Sequence, residues 1–321
     1  MSGTVIGPVL VLGAGGYLGS TLVTHLARRG TEVVAVGRRA PRAVGPTVRT
    51  AAVDATDPDD LARVVAGAGA VVHLVAHLVP GRSWRVADDD PAGEAGTVGP
   101  ARALVAALRD RRVPVVTAST VGIAGCPERI RLDGTEPDDP RTPYDRQKLA
   151  AERALLESGL PAVPVRLPTV YGRGADPAAP GTGVVAAMAQ RAAAGRDLTL
   201  WHDGSVRRDL LHVRDVAAAL DAAVRHADRL AGRPWVIGTG IGVPLGAVVR
   251  GLATRIADRT GREPVPVVQV PAPDHAAPTD FHSVEVDPAA FRAVTGWRAR
   301  TPLGTGLDEV ADAVATRPVP V

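Results

Sequence analysis

Tyr144 and Lys148, one helical turn apart in TPYDRQKLAAE, are the residues of this 321-residue chain whose types and spacing point most directly to chemistry. Of 37 residues of the Lys and Arg types, Lys148 is the one lysine. Arginine meets every other need for a cation, so this position demands what a compact ammonium supplies and a planar guanidinium does not. A phenol ionises near pH 10, roughly, and works as a general acid around neutrality only beside a cation that eases its proton exchange. The pair therefore suits protonation of a carbonyl oxygen, with the ammonium also free to bind ribose hydroxyls. Upstream, VPVVTASTVGIAG ends a strand with Ser119 and Thr120, whose hydroxyls could polarise the same carbonyl or touch the substrate.

These side chains need elements to hold them. Thr142 is placed to cap a helix, Pro143 suits its first position, and Asp145 completes a capping-box-like start. The helix should run to about Ser158 and close at Gly159 and Pro161. Nearer the N-terminus, PVLVLGAGGYLGS passes from an apolar β-rich run through Gly13, Gly16 and Gly19 into the helical pattern STLVTHLARRG, followed by the strand-like TEVVAVGRR. Glycines between a strand and a helix allow backbone N–H groups to approach a pyrophosphate, which marks a dinucleotide site. The second strand ends in Gly37, Arg38 and Arg39 where an NAD site would carry Asp or Glu. Guanidinium groups there favour a 2′-phosphate, so the expected cofactor is NADPH, with Arg38 its first partner.

The alternation continues through VRTAAVDA, DPDDLARVVAGA, AVVHLVA, ARALVAALRDR and VPVVTAST, with strands apolar on both faces. That pattern predicts an α/β fold with a doubly wound parallel sheet covered on both sides. GRGADPAAPGTG marks a change to a smaller lobe, and DLLHVRDVAAALDAAVRHA reads as a strand and helix returning to the sheet. With 45% hydrophobic residues the chain can bury a large core. A net charge of +3 spread along the sequence, and 3% aromatics, argue against a nucleic-acid partner. Val5–Ala27 lacks charged residues but is broken by Gly7, Pro8 and the glycine loop, so no membrane span or signal peptide is expected. The single cysteine, Cys126, fits a reducing cytoplasm. His202, Asp203, Asp209 and His212 have no standard metal-ligand spacing, and no metal is expected.

In order and over essentially the whole length, GAGGYLG, VVHLVA, ASTVGIAG, PYDRQKLAAE, RLPTVYG and RRDLLHVRDVA resemble the extended short-chain dehydrogenase/reductases. The resemblance implies a Rossmann domain over 1–172, rejoined around 205–238, and a substrate lobe from 173–204 and 239–321. It puts Thr120, Tyr144 and Lys148 at the catalytic positions. Tyr17, Leu18, Asp54, Ala55, Leu74, Val75, Ala76, Leu167 and Val170 would join the glycine loop, the two arginines, Tyr144 and Lys148 around NADP. The stretches VVHLVAHLVPGRSWR, GVVAAMAQRAAAGRDLTLWHDGSVRRDLLHV and PAPDHAAPTDF further resemble TDP-4-keto-6-deoxyhexose 4-ketoreductases of antibiotic deoxysugar pathways. That likeness implies a nucleotide-diphosphate sugar as substrate, Arg208 on the diphosphate, and a homodimer. His77, Trp84, Thr169 and Trp201 are further candidate substrate contacts. Val121 and Gly122 stand where related dehydratases carry an Asp-Glu pair, which disfavours dehydration. Thr120 replaces a frequent Ser, Thr169 a frequent Asn, and Gln147 a frequent Ser or Thr. Two other functions compete: an epimerase that retains NAD, which would prefer an acid at position 38, and a non-catalytic dinucleotide sensor, which would not need the Tyr–Lys pair.

Overall fold

The computed structural model describes residues 7–77, 91–175 and 181–316. Its first half alternates β1 (Val9–Leu12), α1 (Tyr17–Arg28), β2 (Val33–Gly37), β3 (Val48–Ala52), α2 (Pro58–Val65), β4 (Ala70–His73), α3 (Pro91–Ala107) and β5 (Val115–Thr120). A 3-10 turn, Val121–Ala124, and the short β6 (Arg131–Leu132) lead to α4 (Pro143–Leu156), β7 (Ala162–Leu167) and β8 (Thr169–Tyr171). The order continues through α5 (Gly183–Ala193), β9 (Leu198–Leu200), β10 (Arg207–His212), α6 (Val213–Arg225), α7 (Ala227–Leu230), β11 (Trp235–Val236) and β12 (Gly242–Pro244). It closes with α8 (Leu245–Thr260), β13 (Val267–Gln269), α9 (Pro278–Phe281), β14 (Glu285–Val286), α10 (Ala289–Thr295) and α11 (Leu303–Ala315).

Seven strands form one parallel sheet in the order β11-β7-β5-β4-β1-β2-β3. β1, β4 and β7 are buried along their full length, because helices cover both of their faces. Val9, Val11, Val72, Val116 and Val163 pack toward α1 and α6; Leu10, Leu12, Val71 and Val115 pack toward α2, α3 and α4. Strand order reverses between β1 and β4, and the crevice at their C-terminal ends is where doubly wound sheets bind ligands.

DLLHVRDVAAALDAAVRHA forms the expected strand and helix, β10 and α6. β10 does not enter the large sheet; it pairs with β8 in parallel and β12 in antiparallel. The segment rejoins through α6, whose Val216, Ala217 and Leu220 lie in the sheet's core, and through β11 beside β7. A separate apolar cluster joins Val185, Leu198, Leu210, Leu252, Ile256 and Val310 from α5, β9, β10, α8 and α11. Phe291 and Trp297, from the segment 239–321, pack with the sheet cluster instead. No helix among the described residues is long and apolar enough to cross a membrane.

Candidate active site

The glycine loop sits at the topological switch. Gly13 has φ +84°, and a Cβ there would meet the Leu74 backbone at 3.1 Å, so the loops leaving β1 and β4 lie side by side. The Leu74 N–H donates to the Leu12 carbonyl at 3.0 Å. A Cβ on Gly19 would fall 2.1 Å from the Gly13 carbonyl oxygen, so only glycine allows α1 to start this close to its own loop. Gly15, by contrast, faces open space. The first residue before α1, Gly16, has no side-chain cap, and the first turn has no acid. The helix thus presents N–H groups and the positive end of its dipole to the crevice, a cradle for a pyrophosphate. Arg38 and Arg39 are exposed beyond β2, and Asp54 is the carboxylate beside them. Asp54 accepts from the Thr56 N–H at 2.9 Å and the Thr56 hydroxyl at 2.7 Å, bonds that hold its pKa below the usual range. Ala55, Val75 and Ala76 are half-buried along the same crevice, and Leu18 packs against the core.

Tyr17 also ties two elements together. Its hydroxyl donates to the Gly172 carbonyl at 2.8 Å, tying α1 to the chain just past β8. Thr21 Oγ1 reinforces the tie by accepting from the Ala175 N–H at 3.2 Å. Burial raises the Tyr17 pKa well above the ordinary phenol value.

α4 begins as its residues require. Thr142 Oγ1 accepts from the Asp145 N–H at 3.1 Å, and its hydroxyl donates to the Asp145 carboxylate at 2.6 Å. Asp145 therefore bonds the cap side chain and not the cap backbone of a standard capping box. A Cβ on Gly122 would lie 2.3 Å from Asp145 Oδ1, so glycine after Val121 makes room for this buried carboxylate. Gly122 also donates its N–H to Thr120 Oγ1 at 3.0 Å, leaving the Thr120 hydroxyl proton free to point at a ligand. Tyr144 is half-buried, and its pKa is raised by burial and by the neighbouring Asp145.

Lys148 is only 4% exposed. Burial pushes its pKa down from 10.5 to about 8, with Glu152 opposing the drop. Among the described residues, none accepts a hydrogen bond from its ammonium. Glu152, one turn further along α4, is itself clamped by Arg166 of β7, whose Nε and Nη2 donate to it at 3.1 and 2.8 Å. Asp138 accepts from the same guanidinium at 2.8 Å. This support was missed in the sequence, although it could have been read there: Glu152 follows Lys148 at helical spacing, and Arg166 is a lone charge in the apolar strand AVPVRL.

The remaining candidates divide. Leu167 packs at the C-terminal end of β7 and Val170 within β8, and Thr169 is half-buried beside them. The His77 N–H donates to Thr97 Oγ1 at 3.0 Å, close to where the chain leaves β4. Trp201 meets His275 edge-to-face, with ring centroids 5.8 Å apart. Trp84 lies outside the described residues. Ser119 does not share the open position of Thr120; alternation along β5 turns it inward, and it is 4% exposed. Arg208 is engaged by backbone and not by a carboxylate: it donates to the carbonyls of Arg207 at 3.0 Å, Thr279 at 2.9 Å, Asp280 at 2.8 Å and also His282. Asp209 and Asp215 are occupied by the N–H groups of Thr239, Gly240 and Val286, and of Arg300 and Thr301. His202 and His212 are also used locally, each accepting a backbone N–H two residues on. Among the described residues no cluster of His, Cys, Asp or Glu could hold a metal ion.

A seven-stranded parallel sheet, a glycine loop at its switch point and the Tyr–Lys helix define a Rossmann-like protein of the extended short-chain dehydrogenase/reductase type. Residues 9–238 match the NAD dependent epimerase/dehydratase family, and the chain belongs to that family. It is 30% identical to a UDP-glucose 4-epimerase of Mycolicibacterium smegmatis, with 94% of this chain and 97% of the relative covered. It is likewise 30% identical to a dTDP-6-deoxy-L-talose 4-dehydrogenase (NAD(P)(+)) of Kitasatospora kifunensis, covering 97% of this chain and 96% of the other. The solved structure of MoeE5 in complex with UDP-glucose and NAD superposes with a TM-score of 0.79 at 30% identity, covering 96% of this chain and 98% of that one.

Proposed function

We propose that this protein is an NADPH-dependent reductase of the C4 ketone of a nucleotide-activated 4-keto-6-deoxyhexose. The cradle suits the cofactor: an uncapped helix start, a glycine that no side chain could replace, and an ammonium with no acceptor among the described residues. In this reading Gly13, Gly16 and Gly19 hold the pyrophosphate, Lys148 the ribose hydroxyls, and Arg38 with Arg39 the 2′-phosphate. Bound there, reduced nicotinamide supplies the hydride. Tyr144 gives its proton to the ketone oxygen, and its raised pKa keeps that proton on the phenol until negative charge develops. Thr120 donates a second hydrogen bond to the same oxygen, because the Gly122 N–H engages only a lone pair of its hydroxyl and leaves the proton free. Lys148 remains mostly protonated at neutral pH despite burial and supports the loss of the tyrosyl proton.

The observation that carries the choice of reductase over epimerase is the pair of exposed arginines beyond β2, where an NAD-retaining enzyme would use an acid. The 4-dehydrogenase similarity supports a redox reaction at the same carbon, and the Tyr–Lys pair argues against a non-catalytic sensor. We place the nucleotide sugar between α4 and the lobe of α5, β9 and α8, with His77, Thr169 and Trp201 along its path, and the enzyme in the cytoplasm as a homodimer. Incubation with NADPH and an enzymatically made TDP-4-keto-6-deoxyhexose should consume the cofactor and give a C4 alcohol by NMR. Failure to consume NADPH across a panel of such sugars overturns the proposal.

A further inference from the structure

Beneath Lys148 lies a group that the mechanism above does not use. His73 ends β4 and is 1% exposed; in the sheet register it stands opposite Thr117, and Ser119 follows on the same face of β5. That face packs against α4, whose buried side, Lys148, Ala151, Glu152 and Leu155, points at it. The tautomer of the imidazole is assigned from its contacts with Thr117. The Thr117 hydroxyl donates to the His73 carbonyl at 3.3 Å, so its oxygen is left to accept from His73 Nδ1–H at 3.2 Å. Nε2 then carries a lone pair, and it is buried with no partner among the described residues, as is Ser119 Oγ. A buried acceptor without a donor is costly unless it serves something.

We propose that His73 is a positioning residue for Lys148, a neutral imidazole whose Nε2, with Ser119 on the same face of the sheet, receives the ammonium from the sheet side through one water. The inference rests on the assignment of Lys148 to the reaction, but its physical content is independent of turnover. Burial and the Lys148 charge push the His73 pKa down to about 3, which keeps it an acceptor at every working pH. The other ionisable groups around the ammonium are Tyr144, Asp145 and Glu152 of its own helix, with Arg166 of β7 behind Glu152. Glu152 supplies the charge of opposite sign, and His73 gives direction without a second negative charge that would hold the lysine too tightly.

Because Lys148 is the sole lysine, protein labelled biosynthetically with [ε-13C]lysine gives one side-chain resonance, whose pH titration in the unliganded protein reports this ammonium alone. His73→Phe should lower its midpoint by about one pH unit, a tenfold change in the ionisation equilibrium. His73→Gln, which returns an acceptor oxygen near the place of Nε2, should restore most of it. An unchanged midpoint in a folded His73→Phe protein overturns the proposal, and so does a drop that Gln fails to reverse, since burial alone would then explain it. If His73→Phe does not fold, Thr117→Val provides the second test: freeing the tautomer should lower the midpoint, and no movement refutes the assignment. A shifted midpoint in a protein that fails to reduce keto-sugars would uphold this inference while overturning the proposed function.

Discussion

Lys148 should cost the protein stability at neutral pH, and replacing it with methionine should reveal how much. In the folded chain its pKa is about 8 against 10.5 for an ordinary lysine. Each pH unit of that difference is worth about 1.4 kcal/mol, so keeping a protonated, buried ammonium costs on the order of 3 kcal/mol at pH 7. The sign follows from proton counting. Between the two pKa values the unfolded chain binds the proton and the folded one does not, so stability rises with pH from about 8 toward 10.5, and the cost is fully present below that window. Tyr17, Tyr144 and Tyr171, all raised by burial, act oppositely and remove stability above about pH 10, where phenols of the unfolded chain ionise. Lys148→Met keeps most of the aliphatic stem and removes the charge. Urea unfolding should show it more stable than the parent by ~3 kcal/mol at pH 7, with the advantage falling to about half by pH 9.5 and little change in the denaturant slope. A variant less stable at pH 7, or an advantage that does not shrink with pH, would refute a buried, desolvated ammonium.

Three further outcomes follow from the same geometry. Arg38→Asp should lower kcat/KM for NADPH by about 100-fold while changing that for NADH little, since a charge-assisted bidentate pair is replaced by repulsion; equal losses for both cofactors would remove Arg38 from the 2′-phosphate. Gly19→Ala puts a methyl group against the Gly13 carbonyl, and dinucleotide affinity measured by protein fluorescence should fall at least about tenfold. Thr120→Val should cut kcat by about 100-fold or more with KM little changed, and Thr120→Ser should retain most of the rate, because the hydroxyl and not the methyl meets the developing oxyanion.

Much of the fold was legible because β1, β2, β4, β5 and β7 are short apolar runs divided by helices, and a strand buried on both faces has to be written that way. α4 was equally legible, from Thr142 and Pro143 at its start to Gly159, with φ +78°, after its end. α3 was not. The pattern ARALVAALRDR marks a helix around these residues, but the described chain is already helical at Pro91 and carries Pro100 inside. PAGEAGTVGP has no apolar stripe; packing of Gly93, Thr97 and Val98 makes the early turns, a tertiary effect that local propensity does not record. The site shows the same division. Tyr144, Lys148 and the glycine loop carry their chemistry in their spacing. Arg208, Ser119 and Tyr17 could not be placed from sequence, because their partners at Thr279–His282, within the sheet, and at Gly172 lie far away along the chain.

Transfer of label tests the central claim most directly. The protein should be mixed with NADPH deuterated at nicotinamide C4 on the transferred face and with a TDP-4-keto-6-deoxyhexose, following sugar and cofactor together. A reductase built on Arg38, Tyr144 and Lys148 predicts one deuterium at sugar C4 for each NADP released, with Tyr144→Phe reducing the rate by about 100-fold or more. Interconversion of a nucleotide sugar and its C4 epimer, with no NADPH consumed and no deuterium in the product, would contradict it.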